Sequence, residues 1–245
     1  MPDSRLAALV AVPAAALAVL IAFVLTLIGA AWAVAVLVGI VVGATVGVAA
    51  YVVSGARVLS ALATQPIEPG RDPRVDNMLD TLCVNNGFDR PDLLRVDSAA
   101  RNSAVLASGG VVSIVVTDGL LRAVDHMGLE ALFAHQLSVG AQGDLEFRTR
   151  LIGLLSLLPE GLARRVAAGR LVEPEVFSTD IEGARLTRYP PGQVTLLETL
   201  ADGDNRVGGV SEIGAGLWLV NPLGGDIHTV LHPAVEDRIA LLREL

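Results

Sequence analysis

Leu129-Glu130-Ala131-Leu132-Phe133-Ala134-His135-Gln136-Leu137-Ser138-Val139 is the most telling stretch of this chain. Leu129, Leu132, Phe133 and Leu137 recur at intervals of three and four, which predicts a helix over 128–140 with one apolar face. His135 stands among them, Gln136 follows it, and Val139 lies one turn further on the same side. Periodicity alone leaves His135 readable as an ordinary polar residue on a core helix. Its neighbours carry the rest of the reading.

In the H-E-x-x-H arrangement two histidines four apart share a helix face and grip zinc, while the glutamate deprotonates the metal-bound water. Here only the first histidine, His135, is present. Gln136 is a neutral amide that cannot accept the proton, and Val139 has no lone pair for a metal.

Working outward, the 245 residues are 52% apolar, enough for one domain plus a membrane anchor. No Asp, Glu, Lys, Arg or His occurs over 6–56. As a helix that run would measure about 75 Å, too long for one crossing of a roughly 30 Å hydrocarbon layer. Two spans fit, 6–28 and 32–54, reversing at Gly29, Ala30 and Ala31. The apolar core of a cleaved signal peptide is about 7–15 residues, much shorter than this run. Gly39, Gly43 and Gly47 form a small-residue stripe on the second span, suited to a close helix partner, the first span included. Arg5 precedes the pair and Arg57, Arg71 and Arg74 follow it, so both ends and the soluble part are expected on the cytoplasmic side of the cell membrane.

All 18 basic residues are arginine and the formal net charge is -8, which argues against a nucleic-acid partner. Cys83 is alone, so no intrachain disulfide or thiolate metal cluster forms. A linker is expected over 57–74, rich in proline and polar residues toward its end, and a folded domain over 75–245. Within that domain, helices are expected at 75–84, 118–124, 177–187, 193–200 and 233–245, and strands at 93–96 and 111–116 after a Gly109-Gly110 turn. The apolar run 151–158 is too short to span, and reads either as a surface-lying amphipathic stretch or as a buried helix.

Several segments in order resemble the HtpX-like membrane metallopeptidases, relatives of the CAAX prenyl proteases. They are Asp97-Ser98 with Asn102-Ser103-Ala104, then Val115-Val116-Thr117-Asp118-Gly119-Leu120-Leu121, the helix around His135, and Gly143-Asp144. Downstream come the segment from Asp180 to Leu186, Tyr189-Pro190-Pro191, Asn221-Pro222, and His232-Pro233 with Glu236-Asp237-Arg238-Ile239. The resemblance implies an α+β chain: a mainly helical zincin-like domain with a small β-sheet, preceded by the two-helix transmembrane hairpin. It also implies an edge strand that holds an extended substrate beside the zinc.

Carried over position by position, the first zinc ligand falls on His135, the general base on Gln136 and the second ligand on Val139. The third falls on Val176, four before the characteristic Asp180; Glu175 is one residue off, about 100° away on a helix. Three of four catalytic positions are lost, whereas a catalytic zinc normally takes three protein ligands. No catalytic residue, metal or cofactor is therefore expected, and the chain reads as an inactive homologue that binds or scaffolds other membrane proteins in the lipid bilayer. Asn102, Val111, Ser113, Val115, His232 and Arg238 are the groove candidates, with strand addition expected beside 111–116. The alternative is an active zinc endopeptidase with a rearranged site built from His135, His228 and His232. Pro233 opposes it, because it disfavours a helical His232. A serine hydrolase through Ser138 and His135 lacks an orienting acid.

Overall fold

A computed structural model describes residues 2–68, 70, 72–167, 175–224 and 232–245, with backbone alone over 2–9. The chain starts with two long helices, α1 (Pro2–Leu27) and α2 (Trp32–Ala61), joined by a reversal in which Gly29 takes φ +92°. Both are long and apolar enough to cross a bilayer. Their outward side chains, among them Leu20, Phe23, Leu37 and Ile40, are exposed.

The glycine stripe of α2 is spent inside this hairpin. A Cβ added at Gly39 would sit 2.4 Å from Ala18 O, and one at Gly43 would sit 2.5 Å from Ala14 O. At Gly47 the neighbours are Ala14 and Val10, so the register runs antiparallel with alanines of α1 facing glycines of α2. Close backbone approach of this kind supplies the van der Waals contact that holds helices together where lipid removes the hydrophobic drive.

The helix α2 does not stop at 54. It continues to Ala61, and the expected linker 57–74 holds its last turns, strand β1 (Gln65–Pro66) and the start of helix α3 (Pro73–Asn86). Asp72 caps α3 by accepting from the amides of Arg74 and Val75, with Pro73 in the first turn and Gly87 at φ +72° ending it. Cys83 of α3 is buried, and burial pushes its thiol pKa up.

Three further strands follow: β2 (Asp92–Val96), β3 (Ser103–Ser108) and β4 (Val111–Thr117). The sheet order is β1-β2-β4-β3, with β2 parallel to β4 and the other pairs antiparallel. Gly109 and Gly110, both at positive φ, make the two-residue β3–β4 turn. One expectation is corrected here. β4, with Val111, Ser113 and Val115, has a partner on each side, so it offers no open edge for strand addition; the edge on that side is β3.

Helices α4 (Asp118–Ala123), α5 (His126–Gly140), α6 (Leu145–Leu155), α7 (Glu160–Ala167), α8 (Val176–Thr187), α9 (Pro190–Ala201) and α10 (Val235–Leu242) complete the described domain, with a short 3-10 turn at Ile213–Leu217. α5 lies at the centre, against β3, α3, α8 and α9, and Asp125 caps it by accepting from Gly128 N at 2.7 Å. In α6, Leu151, Ile152 and Leu155 are buried, so that part of the 151–158 run is a buried helix, packed on α2. The architecture is α+β, mostly helical with a small mixed sheet.

Candidate functional site

His135 sits in the middle of α5 at 4% exposure, because glycine on the neighbouring helix lets α8 approach. A Cβ at Gly183 would meet His135 Cα at 3.0 Å. That approach sets Asp180, one turn earlier on α8, beside the imidazole, with His135 Nε2 3.3 Å from Asp180 Oδ1. Neither imidazole nitrogen makes a hydrogen bond, although both are buried.

Gln136 is also buried, and its amide donates to Ser103 Oγ at 2.8 Å, which in turn donates to Val115 O at 2.8 Å. The side chain in the general-base position thus ties α5 to the two strands beside it. Val139 and Val176 are half-buried. His135, Gln136, Val139 and Val176 all line one cavity of about 30 Å³, together with Arg148 and Thr179. The four positions carried over from the sequence therefore converge in space. Glu175 is exposed and precedes α8, outside that lining.

A zinc ion does not fit this lining. Its only metal-binding side chain is His135, and the two valines replace donors with hydrocarbon. Arg148, buried at 3% exposure, adds a guanidinium that repels any cation. Among the described residues no three His, Cys, Asp or Glu side chains gather as a metal would need. His228 of the three-imidazole alternative lies outside the described residues. Ser138 Oγ donates back along its helix to Ala134 O at 2.9 Å.

The other groove candidates form a second cluster around the chain's own segment 218–220. Ala104 of β3 makes an antiparallel bridge to Trp218, and Leu219 N donates to Ser103 O at 2.8 Å. Asn102 Nδ2 donates to Val220 O at 3.0 Å and to Asn205 O at 3.1 Å, while its Oδ1 accepts from Ser103 N. His232 Nε2 lies 3.2 Å from Trp218 O. Arg238 donates to Leu219 O at 2.8 Å and grips Asp180 through two bonds of 2.7 Å. Asn102, His232 and Arg238 thus hold the chain's own segment 218–220.

Electrostatics follow that geometry. Burial alone raises the Asp180 carboxyl, but Arg238, with His135 beside it, overrides this and holds it down at about 2. Burial and the nearby Arg238 charge lower His232 to about 4, against the opposing bond to Trp218 O, so it is neutral at pH 7.

Sequence reasoning missed Arg148, Ser103 and the 218–220 segment. Arg148 had no distinguishing signal, being one of two arginines, with Arg150, in the 147–152 stretch of α6. Ser103 stood inside the Asn102-Ser103-Ala104 segment without its role being legible, and the 218–220 segment had no signal, since both roles come from pairings distant in sequence.

Known proteins with related sequences share a name. The chain is 27% identical to a protease HtpX homolog of Dictyoglomus thermophilum, covering 72% of this chain and 71% of that relative. It is 25% identical to one of Tropheryma whipplei, covering 80% of each. A third, from Acidiphilium cryptum, is 27% identical, covering 80% of this chain and 82% of the relative. No family model matches the chain, and no solved structure matches it.

Proposed function

We infer that this HtpX-like membrane protein is a peptidase homologue without hydrolytic chemistry, serving as a binding or scaffolding subunit for other membrane proteins. The observation that carries the reading is the cavity itself. The positions of base, second ligand and third ligand face it together, as an amide committed to Ser103 and two valines, with a buried guanidinium beside them. Losing a general base alone typically costs about 10² to 10⁴ in rate.

Of two scaffold mechanisms, the sheet favours a fixed subunit over peptide capture. The bridge to Trp218 covers one end of β3, and Ala107 N near the other end is bound to Thr149 Oγ1 at 3.1 Å. The opposite edge, β1, is two residues long and contains Pro66. The apolar outer faces of α1 and α2 then remain as the surface for neighbours in the bilayer, with two crossings and the folded domain on the cytoplasmic side.

Metal analysis of the purified full chain tests this directly. We expect neither stoichiometric zinc nor cleavage of unfolded membrane-protein substrates. Stoichiometric zinc that disappears in His135→Ala would overturn the reading. Rebuilding the site with Gln136→Glu, Val139→His, Val176→Glu and Arg148→Met is expected to restore zinc binding, since the backbone already brings these positions together.

A further inference from the structure

Arg148 is the unexplained charge of the domain. A guanidinium carries five N–H donors and stays protonated. At 3% exposure Arg148 makes one hydrogen bond, from Nη2 to Gly216 O at 2.7 Å, and among the described residues it has no ion-pair partner. Burial pulls its pKa down, opposed by the charge of Asp144, which acts without contact. The other buried arginines are neutralised: Arg238 by Asp180, and Arg150 by Glu146. A buried charge left unpaired is costly, and native structures pair such charges or bind a counter-ion.

Arg148 faces the cavity that His135 also lines, while His135 Nε2 faces the Asp180 carboxylate at 3.3 Å. We propose that the cavity between α5, α6 and α8 is a binding site for a small monatomic anion of the chloride class, held by Arg148. The cavity is small, about 30 Å³, and its walls include Val105, Val139, Val176 and Leu219, which suits a compact anion beside the one guanidinium. The assignment stands on the unpaired buried cation and the cavity it faces, and does not depend on whether the protein hydrolyses peptides.

The test uses the full chain in detergent at constant ionic strength, with sodium gluconate exchanged stepwise for sodium chloride. A saturable rise in the thermal midpoint of about 2–4 °C is expected, as for any ligand that binds only the native state. It should be lost in Arg148→Met and kept in Arg150→Met, whose guanidinium already has Glu146. ³⁵Cl NMR on the wild type gives a second readout that needs no variant: line broadening that bromide displaces. Equal midpoints in the two salts together with unbroadened chloride lines would overturn the proposal. So would stabilisation by formate or acetate in place of chloride, which would assign the site to carboxylates.

Discussion

Two buried arginines lie near the same imidazole, Arg238 joined to it through Asp180 and Arg148 lining the same cavity, and they are treated in opposite ways. Arg238 is saturated: both its carboxylate partner and a backbone carbonyl are within 2.8 Å. Arg148 has one carbonyl and an open cavity. The difference separates what the fold has kept from what it has given up. Asn102, Asp180, His232 and Arg238 persist with their partners satisfied, because each carries or supports backbone groups of the segment 218–220 that would otherwise be buried unpaired. The cavity side, lined by Val139 and Val176, has no such duty.

The largest expected effect probes the saturated side. Arg238→Met leaves Asp180 as an uncompensated buried charge and frees Leu219 O, which should cost about 3–5 kcal/mol in denaturant unfolding. A loss under about 1 kcal/mol would break the comparison, because the pair would then be ornamental.

Acid titration comes next. His232 is depressed to about 4 in the folded state, so between that value and its ordinary 6.5 the unfolded chain binds the extra proton. Stability is therefore full above pH 6.5 and falls as pH drops toward 4, by about 3 kcal/mol. Asp180, held near 2, adds a further loss of about 2 kcal/mol as pH falls below its ordinary 3.8. Unfolding curves against pH on His232→Gln should lack the upper limb and keep the lower one.

Gln136→Ala removes the amide that Ser103 Oγ accepts from, with an expected cost of about 1–2 kcal/mol. A double-mutant cycle with Ser103→Ala measures the coupling. The smallest effect belongs to the open side. Measured in gluconate, Arg148→Met should lie within about 1 kcal/mol of the wild type or gain stability, since an apolar side chain replaces a poorly paired buried charge. A loss as large as that of Arg238→Met would erase the distinction between the two arginines.

The parts of the fold legible in the sequence are those whose pattern is local. The helix around His135, the apolar spans and the glycine stripe announce themselves by spacing, and their bounds fall within a few residues of those observed, apart from the longer end of α2. Strand β3 was not legible, because Ser103-Ala104-Val105-Leu106-Ala107-Ser108 has a single β-branched residue and becomes a strand only by pairing with β4. For the same reason the edge was expected at the more β-prone 111–116, which proves to be central. The site positions could be carried over because each lies on a recognisable segment. The segment 218–220 that bridges to β3 could not, since Trp218 meets Ala104 across more than a hundred residues.

One junction has a mechanical meaning. At 30 residues, α2 is about 45 Å long, some 15 Å more than a hydrocarbon layer requires. Its far end is gripped: Ser54 O fills the space where Gly153 of α6 has no side chain, and Arg150 stacks 4.3 Å over the Tyr51 ring while donating to Tyr51 O. Without a slack tether there, α2 set across a bilayer as proposed would turn with the domain as one lever. A thicker or thinner bilayer that re-tilts α2 would swing the whole domain relative to the membrane plane.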